Sequence, residues 1–184
     1  MKPHFNEKKS TQVATLLLKL RGGKMCYMKL IKLMYIVDRT ALLEWGRPVT
    51  YDHYVSMPHG PVLSNTLDRI NEGASPNSNS YWLQHISSPS GYDVHLIKEK
   101  NSYDELSEAE EELIQRIFGE FGHWYRWNLV EYLHENTPEW QDPEGSSIPI
   151  EYHDILLAGG KTEAEAKSIE LEMENLAMID ALLS

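Results

Sequence analysis

Tyr27-Met28-Lys29-Leu30-Ile31-Lys32-Leu33-Met34-Tyr35-Ile36-Val37-Asp38-Arg39-Thr40-Ala41-Leu42-Leu43-Glu44-Trp45-Gly46 is the stretch whose reading decides the fold. Leu30, Leu33, Met34, Val37, Ala41 and Leu42 recur at intervals of three and four, the period of one face of an α-helix. The spacing predicts a helix over Tyr27–Trp45. Gly46 closes it, because glycine accepts the left-handed conformation that ends a helix. Lys29, Lys32 and Arg39 fall beside or opposite the apolar stripe. A Met/Leu stripe of this kind reads as core, not as a lining for a cofactor.

Upstream, Ser10-Thr11 is the predicted cap of a helix through Val13, Leu16, Leu17 and Leu20, stopped at Gly22-Gly23. Downstream, Tyr51–Met57 has the aromatic and β-branched content of a short extended piece. Pro58-His59-Gly60-Pro61 breaks it, with a sharp bend at His59-Gly60. Pro61 is expected to open a helix over Val62–Ile70, since its missing N–H is not needed there. Asn71–Ser80 is rich in Gly, Ser and Asn and reads as a loop. Tyr81–Ile86 and Tyr92–Ile97 flank Ser-Ser-Pro-Ser-Gly and predict a β-hairpin.

Ser107-Glu108-Ala109-Glu110 has the form of a capping box. The helix after it should turn Leu113, Ile114, Ile117, Phe118 and Phe121 inward. Another helix is expected over Trp127–Glu135, ending before Thr137-Pro138. Thr162-Glu163-Ala164-Glu165 is a second capping box. It opens a terminal helix with Ile169, Met173, Leu176, Ile179 and Leu183 on one face. The expected fold is mainly α with a small β-hairpin or sheet element. Residues 1–160 form a single compact domain, and 161–184 form an acidic amphipathic helix packed on it.

The chain has 184 residues, 41% hydrophobic and 24% charged, which suits a globular core and argues against general disorder. The single cysteine, Cys26, excludes an internal disulfide and a polythiolate site. No apolar run is long enough for a bilayer, and Met1–Phe5 lacks the apolar core of a secretory leader. A cytoplasmic protein is expected, with no membrane partner.

The formal net charge is −11, unevenly spread. Residues 1–50 carry +7, residues 51–100 carry −2 and residues 101–184 carry −16. An acidic chain argues against nucleic acid as main ligand, because phosphate binding needs a concentrated basic face. It points instead to internal neutralisation, or to an acidic surface engaging a basic partner.

Motifs for chemistry are sparse. Gly160-Lys161-Thr162 imitates the end of a phosphate-binding loop, but Ile155 stands where the first glycine belongs. Gly159-Gly160 reads as a helix stop, and Thr162 as the next cap. Among eight histidines, His53 and His59 could approach across Pro58, and His85 and His95 across the hairpin. Neither pair supplies the four ligands of a closed zinc site. Cys26 reads as small packing. No catalytic residue, metal ligand or cofactor site is assigned.

The run Lys29-Leu30-Ile31-Lys32-Leu33-Met34-Tyr35-Ile36-Val37-Asp38-Arg39, then Trp45-Gly46-Arg47-Pro48-Val49, then Gly60-Pro61-Val62, resembles the opening of the Panacea domain. This is the family of SocA-like antitoxins, often phage-associated. Leu106-Ser107-x-x-Glu110 is similar to the family's Leu-Ser-x-x-Glu helix start. Leu133-His134 through Pro138 and Trp140 is similar to its Thr-His…Trp stretch, with Leu133 where Thr is common, and Ile148-Pro149-Ile150 resembles the segment after it. The Met57-Pro58-His59 approach to Gly60 is a further departure. The resemblance covers residues 10–158.

The resemblance implies a non-enzymatic antitoxin that neutralises a cognate toxin by direct protein–protein binding. An adaptor that delivers a toxin to a protease is a variant of the same idea and its alternative. Lys29, Lys32, Tyr35, Asp38, Gly46, Gly60, Pro61, Val62, His134 and Trp140 are the motif residues and are read as structural, with Asp38 pairing a Lys or Arg from a neighbouring turn. The partner surface is sought on the terminal helix, at Glu163, Glu165, Ile169, Met173 and Leu176, facing a toxin that is basic where it touches. Two other classes stay open: a prophage transcription regulator using Lys19–Arg21 through Lys32, and a metal-dependent hydrolase built on His53, His59 or His134.

Overall fold

A computed structural model describes residues 1–72, 80–99 and 101–184 of the chain. Among the described residues the helices are α1 (Glu7–Leu20), α2 (Tyr27–Trp45), α3 (Ser64–Asn71), α4 (Tyr81–His85), α5 (Glu108–Phe121), α6 (Arg126–Asn136), α7 (Tyr152–Ala158) and α8 (Glu163–Leu183). The strands are β1 (Lys24–Cys26), β2 (Tyr54–Met57), β3 (Gly60–Leu63), β4 (Asp93–His95) and β5 (Ile148–Ile150). They make a β1-β4 ribbon and a three-stranded antiparallel sheet of order β3-β2-β5. The fold is α+β and mainly helical, as the sequence predicts.

α2 is the axis of the molecule. Every residue from Lys29 to Asp38 is buried, so the helix is enclosed on all sides rather than along one stripe. It packs against α1, α3, α5, α6, α7 and β3. Gly46 ends it at φ 73°, and its N–H donates to the Leu42 carbonyl. Lys29 and Lys32 therefore do not lie on an open face. Each leads its ammonium through the packing to a backbone carbonyl, of Gly122 and Pro61 respectively.

α1 begins a turn earlier than Ser10-Thr11 predicts. Asn6 is the cap, its Oδ1 accepting the Lys9 N–H at 3.0 Å. Ser10 is inside the helix, where its hydroxyl meets Thr66 Oγ1 at 2.8 Å. The stop at Gly22-Gly23 holds, both glycines having positive φ.

Pro61 does not open a helix. Gly60-Pro61-Val62-Leu63 is β3, pairing Met57 with Gly60 and Tyr54 with Leu63. The bend at His59-Gly60 is present, with Gly60 at φ 103°. Proline is tolerated there because β3 is an edge strand. α3 starts at Ser64, and its cap is remote in sequence. Asp52 accepts the Asn65 N–H at 2.8 Å and the Thr66 N–H at 3.0 Å. A cap drawn from twelve or more residues away leaves no local signature.

The predicted hairpin is also redrawn. Tyr81–His85 is α4, which buries Trp82 and His85 at helical spacing. β4 pairs with β1, and only the bridge between Ile86 and Leu96 survives of the expected ladder. The loop expected over Asn71–Ser80 lies largely outside the described residues. The capping boxes at Ser107/Glu110 and Thr162/Glu165 each make both reciprocal bonds. α5 turns all five expected residues inward. β5 and α7 are elements that periodicity did not mark, being only three and seven residues long.

Candidate functional site

Lys32, Tyr35, Asp38, Gly60, Pro61, His134 and Trp140 of the motif lie together in one polar keel along α2, whereas Lys29 reaches the Gly122 carbonyl and Gly46 lies against α8. Asp38 is fully buried and accepts four bonds: from the Val49 and Thr50 N–H groups, each at 3.0 Å, from the Thr50 hydroxyl, and from the Tyr54 hydroxyl at 2.8 Å. Burial raises its pKa to about 6, although those donors pull the other way. Among the described residues no Lys or Arg pairs with it, contrary to expectation. Four donors without a cation suffice to hold a carboxylate, because its lone pairs are filled.

One turn away, Tyr35 donates its hydroxyl to Glu139 Oε1 at 2.7 Å, and Arg39 Nε donates to the same oxygen at 2.6 Å. Burial, then Glu139, raises the Tyr35 pKa well above the phenol range. Lys32, 1% exposed, donates to the Pro61 carbonyl at 2.8 Å, and burial lowers its pKa to about 7. Burial also lowers the pKa of Lys29, with Arg21 adding. His134 stacks on Trp140 at 4.0 Å between centroids, and Trp140 Nε1 donates to the Met57 carbonyl at 2.9 Å. The His134 ring is held in its stack, and its pKa is lowered by burial and then by Lys32, against a backbone hydrogen bond at Pro58. Val62 is buried in β3, and a Cβ on Gly46 would meet Ile169 of α8 at 3.5 Å. The motif thus joins α2 to the sheet and to the segment after α6.

The histidines do not assemble. Among the described residues no group of three or more His, Cys, Asp and Glu could hold a metal ion. His59 meets Trp127 edge-on at 5.2 Å, while His53 is exposed and His134 is stacked. The basic stretch from Lys19–Arg21 through Lys32 is split, since Lys29 and Lys32 are buried. No helix among the described residues is long and apolar enough to cross a membrane.

Two surfaces are left open to a partner. The first is built on α8. Its first half is anchored: Ala166 and Met173 are buried and Ile169 packs on the core. Glu163 pairs with His153 and Lys167, and Glu165 closes the Thr162 capping box. The second half of the seam is bare, with Leu176 39%, Ile179 50% and Leu183 83% exposed. A groove of about 300 Å³ lies beside the anchored half instead, lined by Pro3, Val55, Pro149, Tyr152, Glu170, Met173 and Glu174.

The second surface was not marked by sequence reading. The end of the α5–α6 connection and the first turn of α6 carry Trp124-Tyr125-Arg126-Trp127, all three rings exposed to solvent. They border a cleft of about 550 Å³ against β1, with Arg21, Lys24 and Cys26 on the other side. The available signal was composition: three large aromatics and an arginine in four residues where one helix gives way to the next. Periodicity places Trp127 at the start of the next helix and says nothing of the three residues before it.

The family model described as Antitoxin SocA-like, Panacea domain, matches residues 30–141, which span α2 to the segment just after Trp140. No curated protein and no solved structure gives a match. The matched span holds the Asp38, Tyr35–Glu139 and Trp140 contacts of the keel, and covers more than half of the sequence. The chain belongs to the family of antitoxin SocA-like proteins with a Panacea domain.

Proposed function

We propose that this chain is a cytoplasmic antitoxin that neutralises a cognate protein toxin by direct binding, with no catalytic step of its own. Family membership supports the class. The motif residues support the mode, because they are occupied with holding α2, the sheet and the Glu139 segment together. Function then lies in surfaces placed on this frame.

The observation that carries the reading is the bare half of α8. Met173 is 3% exposed, whereas Ile179 is 50% and Leu182 86% exposed. A helix that is anchored at one end and apolar beyond its anchor is suited to receiving another protein. Glu170, Glu172 and Glu174 flank the seam, so the matching toxin face is basic around an apolar centre. Ile169 and Met173 hold the helix in place, and Leu176 with Ile179 makes the contact.

The test is co-expression. The adjacent open reading frame expressed alone should arrest growth, and this chain should restore it. Leu176→Lys with Ile179→Lys should abolish rescue while leaving the melting temperature unchanged. A harmless neighbour sinks the antitoxin reading. Full rescue by the double variant sinks the assignment to α8.

A further inference from the structure

The cleft between β1 and the α5–α6 connection inverts the sign of the rest of the molecule. Arg21, Lys24 and Arg126 line it against one carboxylate, Asp93, which Lys24 already pairs at 3.1 Å. The whole chain carries −11. Arg126 is held between rings: its guanidinium carbon is 5.5 Å from the centroids of both Tyr92 and Trp127, and Nη1 is 3.8 Å from Cys26 Sγ. Among the described residues its buried Nε has no hydrogen-bond partner. Tyr92 and Tyr125 are 64% and 61% exposed. Trp, Tyr and Arg are the types that dominate binding energy at protein interfaces.

The backbone adds a direction. β1 is an edge strand of its ribbon. Tyr27 N–H donates to the Tyr92 carbonyl, and Leu96 N–H donates to the Gly23 carbonyl. In an antiparallel ladder these bonds alternate, so the N–H groups of Lys24 and Cys26 face away from β4. The first turn of α6 carries no acidic residue and no side-chain cap, which leaves partial positive charge at the same end of the cleft.

We propose that this cleft docks an extended, carboxylate-rich segment of a protein partner, at a surface separate from α8. A segment lying along β1 presents alternate side chains to opposite sides. Carboxylates on the side facing the cleft meet Lys24 and Arg126, and neighbouring apolar side chains meet Trp124 and Tyr125, which line it too. A polynucleotide fits less well. Its uniform charge would extend beyond the cleft onto a molecule whose residues 101–184 carry −16.

The test titrates the full chain with a dye-labelled peptide alternating glutamate and leucine. An alternating lysine–leucine peptide and a labelled oligothymidylate serve as comparisons. The glutamate peptide should bind, and more weakly as salt rises. Arg126→Glu and Tyr125→Ala should each weaken it by about tenfold, whereas Arg116→Glu, on another surface, should not. Ile179→Lys on α8 should leave peptide binding intact, so failure of the α8 assignment does not touch this result. Four outcomes overturn the proposal: no binding, equal binding of the lysine peptide, tighter binding of the oligonucleotide, or indifference to both substitutions. So does concentration-dependent self-association lost in both Arg126→Glu and Ile179→Lys, which would make α8 of a second copy the occupant.

Discussion

The Tyr54 hydroxyl of β2 donates to Asp38 Oδ2 of α2 at 2.8 Å, joining the central helix to the central strand of the sheet. The same carboxylate takes the Val49 and Thr50 amides, and so also fixes the turn between them. One buried side chain therefore sets the angle at which the chain leaves α2 and enters β2.

Asp38→Ala should be among the most destabilising single substitutions. It strands four buried donors, and breaking such a network costs about 3–5 kcal/mol. Asp38→Asn should cost less, since the amide oxygen keeps the Val49 and Thr50 bonds and the two hydroxyls can turn to accept from the amide nitrogen. Urea denaturation of both variants checks the order, and a milder Asp38→Ala would disprove the keel.

Gly60→Val should destabilise by about 1–3 kcal/mol, the cost of forcing a side chain into positive φ. A Cβ there would also meet Lys32 Nζ at 3.3 Å and His134 Cδ2 at 3.7 Å. The strand pairing of Gly60 with Met57 makes this a hairpin effect, not a helix-start effect. An unchanged melting temperature counts against it.

Lys32 gives a stability trend on the alkaline side. Its folded pKa is lowered to about 7 from 10.5, so the unfolded chain binds the extra proton between those values. Stability from this group rises with pH through that window. The buried Tyr35 and Tyr54, with raised pKa values, oppose the trend only once phenols in the unfolded chain ionise near 10. Lys32→Met should flatten the rise between neutral pH and that point, as read by chemical denaturation across pH. A wild-type curve that is already flat there refutes the assignment.

His153 supplies a trend of opposite sign at the α7–α8 junction. Its ring meets Glu170 Oε2 at 2.9 Å and Glu163 Oε2 at 3.1 Å, and these partners raise its pKa above 6.5. The contribution is complete below the unfolded value and fades as pH rises through the folded one. Hydrogen exchange in the first half of α8 should quicken as pH passes upward through neutrality, beyond the intrinsic change in exchange rate. His153→Ala should remove the excess, and an excess that persists in that variant places its origin elsewhere.

The elements legible in the sequence are those whose signals are local. α2 and its Gly46 stop, the two capping boxes, the inward face of α5 and the end of α6 before Pro138 were all readable. In each, the hydrophobic period and the capping groups lie within the element itself. The motif residues were legible as a set. Their role as a keel was not, because Asp38 meets Tyr54, and Tyr35 meets Glu139, only after the chain has folded back.

What tertiary structure alone decided follows from the same physics. Pro61 became a strand residue because β2 was beside it, and α3 took its cap from Asp52. Tyr81–His85 is helical with Ser80 as its cap, and β4 pairs with β1 instead. Lys29 and Lys32 were buried because neighbours enclose α2 on every side, which a single helical period cannot report. The seam of α8 was visible as five residues, but only packing determined where cover ends, at Met173 and not at Leu183. The Arg126 cleft required three separated segments to meet, and none of them signals a surface alone. Sequence determined what each stretch prefers with itself; the fold decided what each was given as a neighbour, since burial and pairing are properties of contacts between segments.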